Sequence, residues 1–152
     1  MPKRRTQPRW LTRTAVDAIH TDQLREHGGL LGLRDENGLQ TALARPQQQW
    51  HYDQGADLVS LGAAYALRLA RNHPYNDGNT RVALVAMLTF LAINGLEFEA
   101  EDDDVLTTML ALAAGHLSEG ELAAWLRTRL VPVKEATAFG QADVSRFSRG
   151  GS

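Results

Sequence analysis

His73-Pro74-Tyr75-Asn76-Asp77-Gly78-Asn79-Thr80-Arg81 runs directly into Val82 to Asn94, VALVAMLTFLAIN. The second part is apolar on every side, and Gly95 stands where a C-terminal cap would stop a helix. A helix without a polar face has to be buried at the centre of a domain. The nine residues before it are polar and include Pro, Gly, two Asn, a His, an Asp and an Arg. They predict a tight loop delivered to the N-terminal end of a buried helix.

That placement has chemical consequences. The first turn of a helix leaves backbone N–H groups unpaired and carries partial positive charge, so it binds anions, phosphates above all. Gly78 lets backbone approach a ligand closely and tolerates positive φ. Arg81 adds a planar, permanently charged fork suited to phosphate oxygens. Asp77 is a hard oxygen ligand of the kind that holds magnesium beside phosphates. His73 is a base that changes protonation near neutral pH. Each residue also has an ordinary reading: a solvated loop histidine, Asp-Gly-Asn turn chemistry, a surface arginine. Together, at the mouth of a buried helix, they form the inventory that phosphoryl or nucleotidyl transfer requires.

The stretch resembles the signature of the Fic/Doc family, His-x-Phe-x-Asp/Glu-Gly/Ala-Asn-Gly/Lys-Arg, departing from it at two defined positions. Tyr75 replaces Phe and keeps an aromatic anchor; Thr80 replaces Gly or Lys. The run from Gly28 to Leu39, with Ala44-Arg45-Pro46-Gln47-Gln48, is similar to the N-terminal portion of the death-on-curing (Doc) branch. The resemblance covers about residues 14 to 131. It implies an all-α helical bundle with a buried central helix and room for a small β flap. It also implies transfer of part of ATP, with Mg2+, to a hydroxyl of a protein substrate.

Fic enzymes mostly transfer AMP, whereas Doc toxins of type II toxin–antitoxin modules phosphorylate elongation factor Tu and block translation. Fic adenylyltransferases usually carry Gly at the position of Thr80, where a β-branched side chain would crowd the phosphates. They also carry a second Arg three residues beyond the first, where this chain has Leu84. Asn-Asp-Gly-Asn-Thr-Arg-Val-Ala-Leu is nearer the Doc pattern Asn-Asp-Ala-Asn-Lys-Arg-Thr-Ala-Leu, although Thr80 is not Lys either. The resemblance therefore implies a Doc-like Ser/Thr kinase toxin, with protein adenylyltransferase as the alternative enzyme. An inactive antitoxin-binding or scaffold protein is the alternative of another class. The implied roles are His73 as base, Asp77 as magnesium ligand, and Gly78, Asn79, Thr80 and Arg81 as the phosphate site. Arg71 either assists from the preceding helix or is a plain surface Arg. Self-inhibited members carry Ser/Thr-x-x-x-Glu-Gly/Asn, but Gly115 and Gly32 precede the candidate glutamates Glu119 and Glu36 here. A separate antitoxin, of Phd type in Doc modules, is then the implied restraint.

Composition sets the outer limits. At 152 residues the chain is long enough for one domain with a real core. Net charge is −2 and the pI about 6.2, which gives no electrostatic case for nucleic-acid or membrane binding. There is no cysteine, so no disulfide framework and no thiolate metal site. The longest apolar run, Val82 to Ile93, is too short for a bilayer. Residues 1–9 lack the apolar core of a secretory signal, and a soluble cytoplasmic protein is expected.

Organisation is expected as a flexible arm over 1–9, a domain over 10–132 and a flexible tail over 133–152. A first helix starts after Thr12 or Thr14 and carries Val16, Ile19, Gln23 and Leu24; Gly28-Gly29 ends it. His20 and His27 on it read as ordinary partly buried histidines. A short helix around Leu39, Ala42 and Leu43 should stop at Arg45-Pro46. Trp50 to Gly55 has aromatics without helical period and reads either as a short extended flap, which the family resemblance implies lies over the active site, or as a surface turn. Asp57 caps a helix over Leu58 to Asn72 that feeds into His73. Leu96 to Ala100 reads as extended, Glu101 to Asp104 as the acidic start of a helix. Ser118-x-x-Glu121 is a capping box opening a last helix through Leu130, closed by Pro132.

Overall fold

The computed structural model describes residues 5–133. The expected tail over 134–152 and the first four residues of the expected arm lie outside them. Residues 5–9 lie against the fold: the Arg5 guanidinium donates to the backbone oxygens of Trp50 and Asp53 and sits over the Trp50 ring, and the Arg9 N–H donates to Asn94 Oδ1.

Six helices and two short strands follow in order: α1 (Arg13–His27), α2 (Glu36–Tyr52), α3 (Leu58–Asn72), α4 (Asn79–Ile93), β1 (Leu96–Phe98), α5 (Asp102–Ala113), α6 (Glu119–Arg127) and β2 (Leu130–Pro132). The all-α expectation holds. None of these helices is long and apolar enough to cross a membrane.

Helix α4 is the axle. Val82 to Leu88 and Phe90 to Ala92 are all buried, as a helix apolar on every side must be. Gly95 at φ 94° ends it, and the Asn94 side chain donates to Phe90 O and Arg9 O. Helix α3 packs along α4 through small residues. A Cβ on Gly62 would stand 3.2 Å from the Leu91 side chain, so only glycine permits this approach without displacement. Tyr65 and Phe90 meet with tilted rings at 4.9 Å, and Trp10 stacks over Phe90 at 6.0 Å. Helices α2 and α6 cover α3, and α1 covers α4.

Two elements differ from the sequence expectation. Pro46 does not end α2, which continues through it to Tyr52. A proline inside a helix removes one hydrogen bond and costs about 3 kcal/mol. Here Leu39, Ala42 and Pro46 form one buried stripe at helical spacing, and that burial offsets the loss. Trp50 to Gly55 is accordingly no extended flap: Trp50 to Tyr52 are helical, and Asp53 closes a turn by accepting from Gly55 and Ala56. The small sheet forms elsewhere, from β1 and β2 paired antiparallel with Glu97 opposite Val131. The last helix thus stops at Arg127 instead of reaching Leu130. The sheet lies at the C-terminal end of α4, about 22 Å of helix from the signature loop.

Asp57 joins local capping to tertiary packing. Its carboxylate accepts from Ser60 N, Ser60 Oγ accepts from Asp57 N, and the Arg127 guanidinium of α6 sits 3.1 Å from the carboxylate. Burial pushes its pKa up, but the Ser60 and Arg127 hydrogen bonds outweigh that and hold it below the usual value. A depressed folded pKa stabilises above the unfolded pKa and is lost as pH falls through the folded one. Asp57→Ala should therefore cost about 1 kcal/mol at pH 7 and lower Tm by about 3–5 °C. The gap to wild type should close below about pH 4. Thermal melts of both proteins at pH 7 and pH 3 check this; a gap as large at pH 3 would contradict it.

Candidate active site

Helix α3 ends on a residue in an unusual conformation. His73 has φ 48° and ψ 55°, and it is the only non-glycine at positive φ among the described residues. A left-handed residue costs roughly 1–2 kcal/mol and persists only where surrounding contacts impose it. The contact is visible: Arg34 Nε donates to His73 O at 2.7 Å and Nη2 to Asn72 O at 3.0 Å. The guanidinium satisfies carbonyls at the negative end of α3. His73 is thereby turned out, exposed, at the start of the signature loop.

The loop itself is laced to the α1–α2 connection, residues 28–35. Pro74 O accepts from both Arg34 N (2.7 Å) and Asp35 N (2.9 Å); Asn76 N donates to Gly32 O, and Asn76 Nδ2 to Leu31 O. Leu33 and Tyr75 form an antiparallel bridge. Two glycines make this approach possible. A Cβ on Gly29 would meet Asp77 Oδ2 at 2.9 Å, and one on Gly32 would meet Asn76 Nδ2 at 2.8 Å; both sit at positive φ. The segment lying on the signature loop is therefore 28–35, not Trp50 to Gly55.

Tyr75 anchors the loop from below. It is buried, its ring stacks on His20 at 3.8 Å with the planes 10° apart, and its hydroxyl donates to Asp17 Oδ1 at 2.7 Å. Asp17 in turn pairs with Arg13, which also reaches Glu36 of α2. Burial, then the neighbouring Asp17, push the Tyr75 pKa well up, so its O–H stays a donor. His20 is more than the ordinary partly buried histidine expected. Its Nε2 lies 3.0 Å from Asp77 O, and a carbonyl only accepts, so Nε2 carries the proton. Its place on the apolar stripe of α1 was the available signal; its partners lie across the fold.

The six expected residues converge. One open cavity of about 360 Å³ is lined by His73, Asn76, Asp77, Gly78, Asn79, Thr80 and Arg81. Gly78 at φ 78° is the N-cap of α4, and no side chain caps that helix end. The Asp77 carboxylate turns back on the loop, accepting from Gly78 N at 3.0 Å and Leu30 N at 3.3 Å. The Asn79 side chain serves the loop: its Oδ1 accepts from Tyr75 N and its Nδ2 donates to Tyr75 O. Its backbone N–H, at the first turn of α4, is what remains to serve an anion besides the second hydrogen of Nδ2. Arg71 stands apart, donating to Leu112 O and Leu117 O between α5 and α6. Leu84 is buried in the core. Helix end, arginine, carboxylate and base on one cavity can bind a phosphorylated ligand and remove a proton beside it.

Comparison with known proteins gives concordant results. The model of the Fic/DOC family matches residues 10–91. The chain is 33% identical over 111 residues to "Protein kinase doc" of Escherichia phage P1, an alignment covering 72% of this chain and 86% of that one. It is 44% identical over 77 residues to "Toxin Doc" of Mycolicibacterium smegmatis, covering 50% of this chain and 59% of that protein.

Asn79→Ala should leave the Tyr75 N–H and C=O without their partner and cost about 2 kcal/mol. The loop should open before the bundle does. Hydrogen exchange at the amides of residues 75–78 should accelerate at least tenfold while α3 and α4 stay protected; unchanged exchange there would contradict the lock.

Proposed function

The chain belongs to the Fic/DOC family, and on that premise we propose that it is a Doc-type toxin transferring phosphate from ATP to a hydroxyl of a target protein. The observation that carries this reading is the shared cavity: His73, forced outward by its left-handed backbone, faces the same space as Asp77, Arg81 and the uncapped end of α4.

In the proposed reaction the α4 N-terminus and Arg81 hold the nucleotide phosphates and neutralise charge as it develops. His73 accepts the proton of the target hydroxyl; the target oxygen bonds to the γ-phosphorus, and the bond to ADP breaks. Asp77 fits a magnesium ligand: two donors leave lone pairs on its oxygens, and Mg2+ beside phosphates needs only one or two carboxylates. The ion would neutralise charge shared between phosphate oxygens.

Thr80 and Leu84 favour phosphate over AMP. A β-branched residue crowds the first turn of α4, and the position of the second arginine is core leucine. The relative named as a protein kinase agrees in direction. Adenylylation is the second reading, since Thr80 also lacks the charge of the Doc lysine. Elongation factor Tu is the proposed target, by resemblance, and the cytoplasm the proposed compartment. The intact base argues against an inactive scaffold, and the absence of the Ser/Thr-x-x-x-Glu-Gly/Asn brake from the sequence argues for a separate Phd-type antitoxin.

The test is incubation of the chain with elongation factor Tu, Mg2+ and ATP labelled at the α or γ position. Transfer of γ label only is expected; α label on the target would establish adenylylation, and neither would support the scaffold reading. His73→Asn retains a residue at home in the left-handed region. It should cut transfer by about 100-fold or more without lowering Tm, and should abolish the growth arrest expected when the wild-type chain is expressed alone.

A further inference from the structure

Arg34 lies outside the signature and does not line the cavity, yet it holds the residue on which the proposed reaction depends. Helices α1, α2, α4, α5 and α6 close with the backbone N–H of the C-cap residue donating to a helix carbonyl. α3 is closed from another element: Arg34 Nε donates to His73 O at 2.7 Å and Nη2 to Asn72 O at 3.0 Å. The Arg34 side chain is exposed, and no ion pair among the described residues includes it. Its charge is met by the partial negative charge at the end of α3. The backbone on either side of His73 is pinned from the same direction. Arg34 N and Asp35 N donate to Pro74 O, and Asn72 Nδ2 donates to Gly38 O of α2 at 2.9 Å.

A residue before proline is steered away from the right-handed helical region toward extended backbone. His73 precedes Pro74 and adopts neither: at φ 48° and ψ 55° it is left-handed. Only imposed contacts keep a residue bearing a Cβ there. Release of the two carbonyls would let His73 relax to the extended region, and its imidazole would then leave the chain in another direction. We propose that Arg34 is a positioning residue for the reaction, its two-pronged hold on the Asn72 and His73 carbonyls keeping the His73 imidazole on the cavity it shares with Asp77 and Arg81. This rests on the reading of His73 as the base. Arg34 acts through His73 and not on the nucleotide. Lysine is no equivalent, since an ammonium is a point donor whereas the planar fork reaches two carbonyls at once. The same segment reaches the far side of the cavity, where Leu30 N donates to Asp77 Oδ2 at 3.3 Å. Base and candidate metal ligand are thus set from one strip of chain.

Transfer kinetics and NMR on the full chain separate the outcomes. In Arg34→Ala, kcat for γ-label transfer should fall about tenfold, the population lost when a left-handed residue is no longer held. KM for ATP should stay unchanged, because the phosphate site at the end of α4 is untouched. The φ of His73, read from backbone chemical shifts and the HN–Hα coupling, should move out of the left-handed region while the α3 and α4 amides keep their protection against exchange. Arg34→Lys should recover only part of the rate. Methylguanidinium added to Arg34→Ala should restore both the rate and the left-handed His73, and should leave wild type unaffected. A raised KM with kcat unchanged would put Arg34 on the nucleotide. A lower kcat with His73 still left-handed would give Arg34 some other role, and an unchanged kcat with His73 displaced would make that conformation irrelevant to the reaction. Each of these three overturns the inference while leaving the phosphate-transfer reading standing. Wild type that transfers no label would remove that reading and this inference together.

Discussion

A helix buried on every face meets water only at its ends, and α4 is such a helix. Its interior hydrogen bonds are complete within itself, and its sides are sealed by α1, α3 and the strand that follows it. What remains unsatisfied is the first turn, where N–H groups point out of the core and the dipole concentrates positive charge. Most helices quench that end with a Ser, Thr, Asp or Asn side chain. α1, α2, α3 and α6 of this chain do so through Thr12, Asp35, Asp57 and Ser118. α4 begins on left-handed Gly78 and has no side-chain cap, so this most buried helix keeps an open N-terminus.

Keeping that end open requires a loop that does not collapse onto it, and the rigidity comes from three directions. The 28–35 segment adds hydrogen bonds along the outer edge of the signature loop, with Pro74 O taking two of them. The Asn79 side chain closes a ring with the Tyr75 backbone from within. Tyr75 and His20 seat the loop on α1 from beneath. A proline carbonyl is a fitting double acceptor: with no N–H of its own, Pro74 contributes nothing that competes for those partners. The strained His73 backbone is the place where these restraints meet, and Arg34 holds both of the carbonyls around it.

The substitution of Tyr for Phe in the signature shows how one polar atom is accommodated. The added hydroxyl lands in a largely buried site and must be paired. Asp17 accepts it, and Asp17 is itself held by Arg13, which extends to Glu36. The result is a chain of donors and acceptors tying the loop to α1 and α1 to the start of α2. Isolated exposed ion pairs contribute little, but a pair that positions a buried acceptor acts through geometry.

By itself the sequence determined the all-α class, the buried central helix, the position of its mouth, and the six residues around that mouth. These are local properties: apolar periodicity, capping residues and a motif contiguous over nine positions. The caps at Thr12, Asp57 and Ser118 were legible for the same reason, since each acts on a backbone N–H three residues away. Pro46 misled because local propensity predicts a stop, whereas the buried stripe of Leu39, Ala42 and Pro46 is rewarded only by packing against α3. Trp50 to Gly55 misled with it, being partly the continuation of that same helix. Only the tertiary structure decided that residues 28–35 lie on the signature loop, that Asn79 serves the loop with its side chain, and that His20 belongs beside Asp77. Those contacts join residues up to 57 positions apart, and no local pattern encodes a partner that distant. The reason is physical: a buried polar side chain takes whichever partner the folded chain brings within about 3 Å, and that partner is set by how the helices cross.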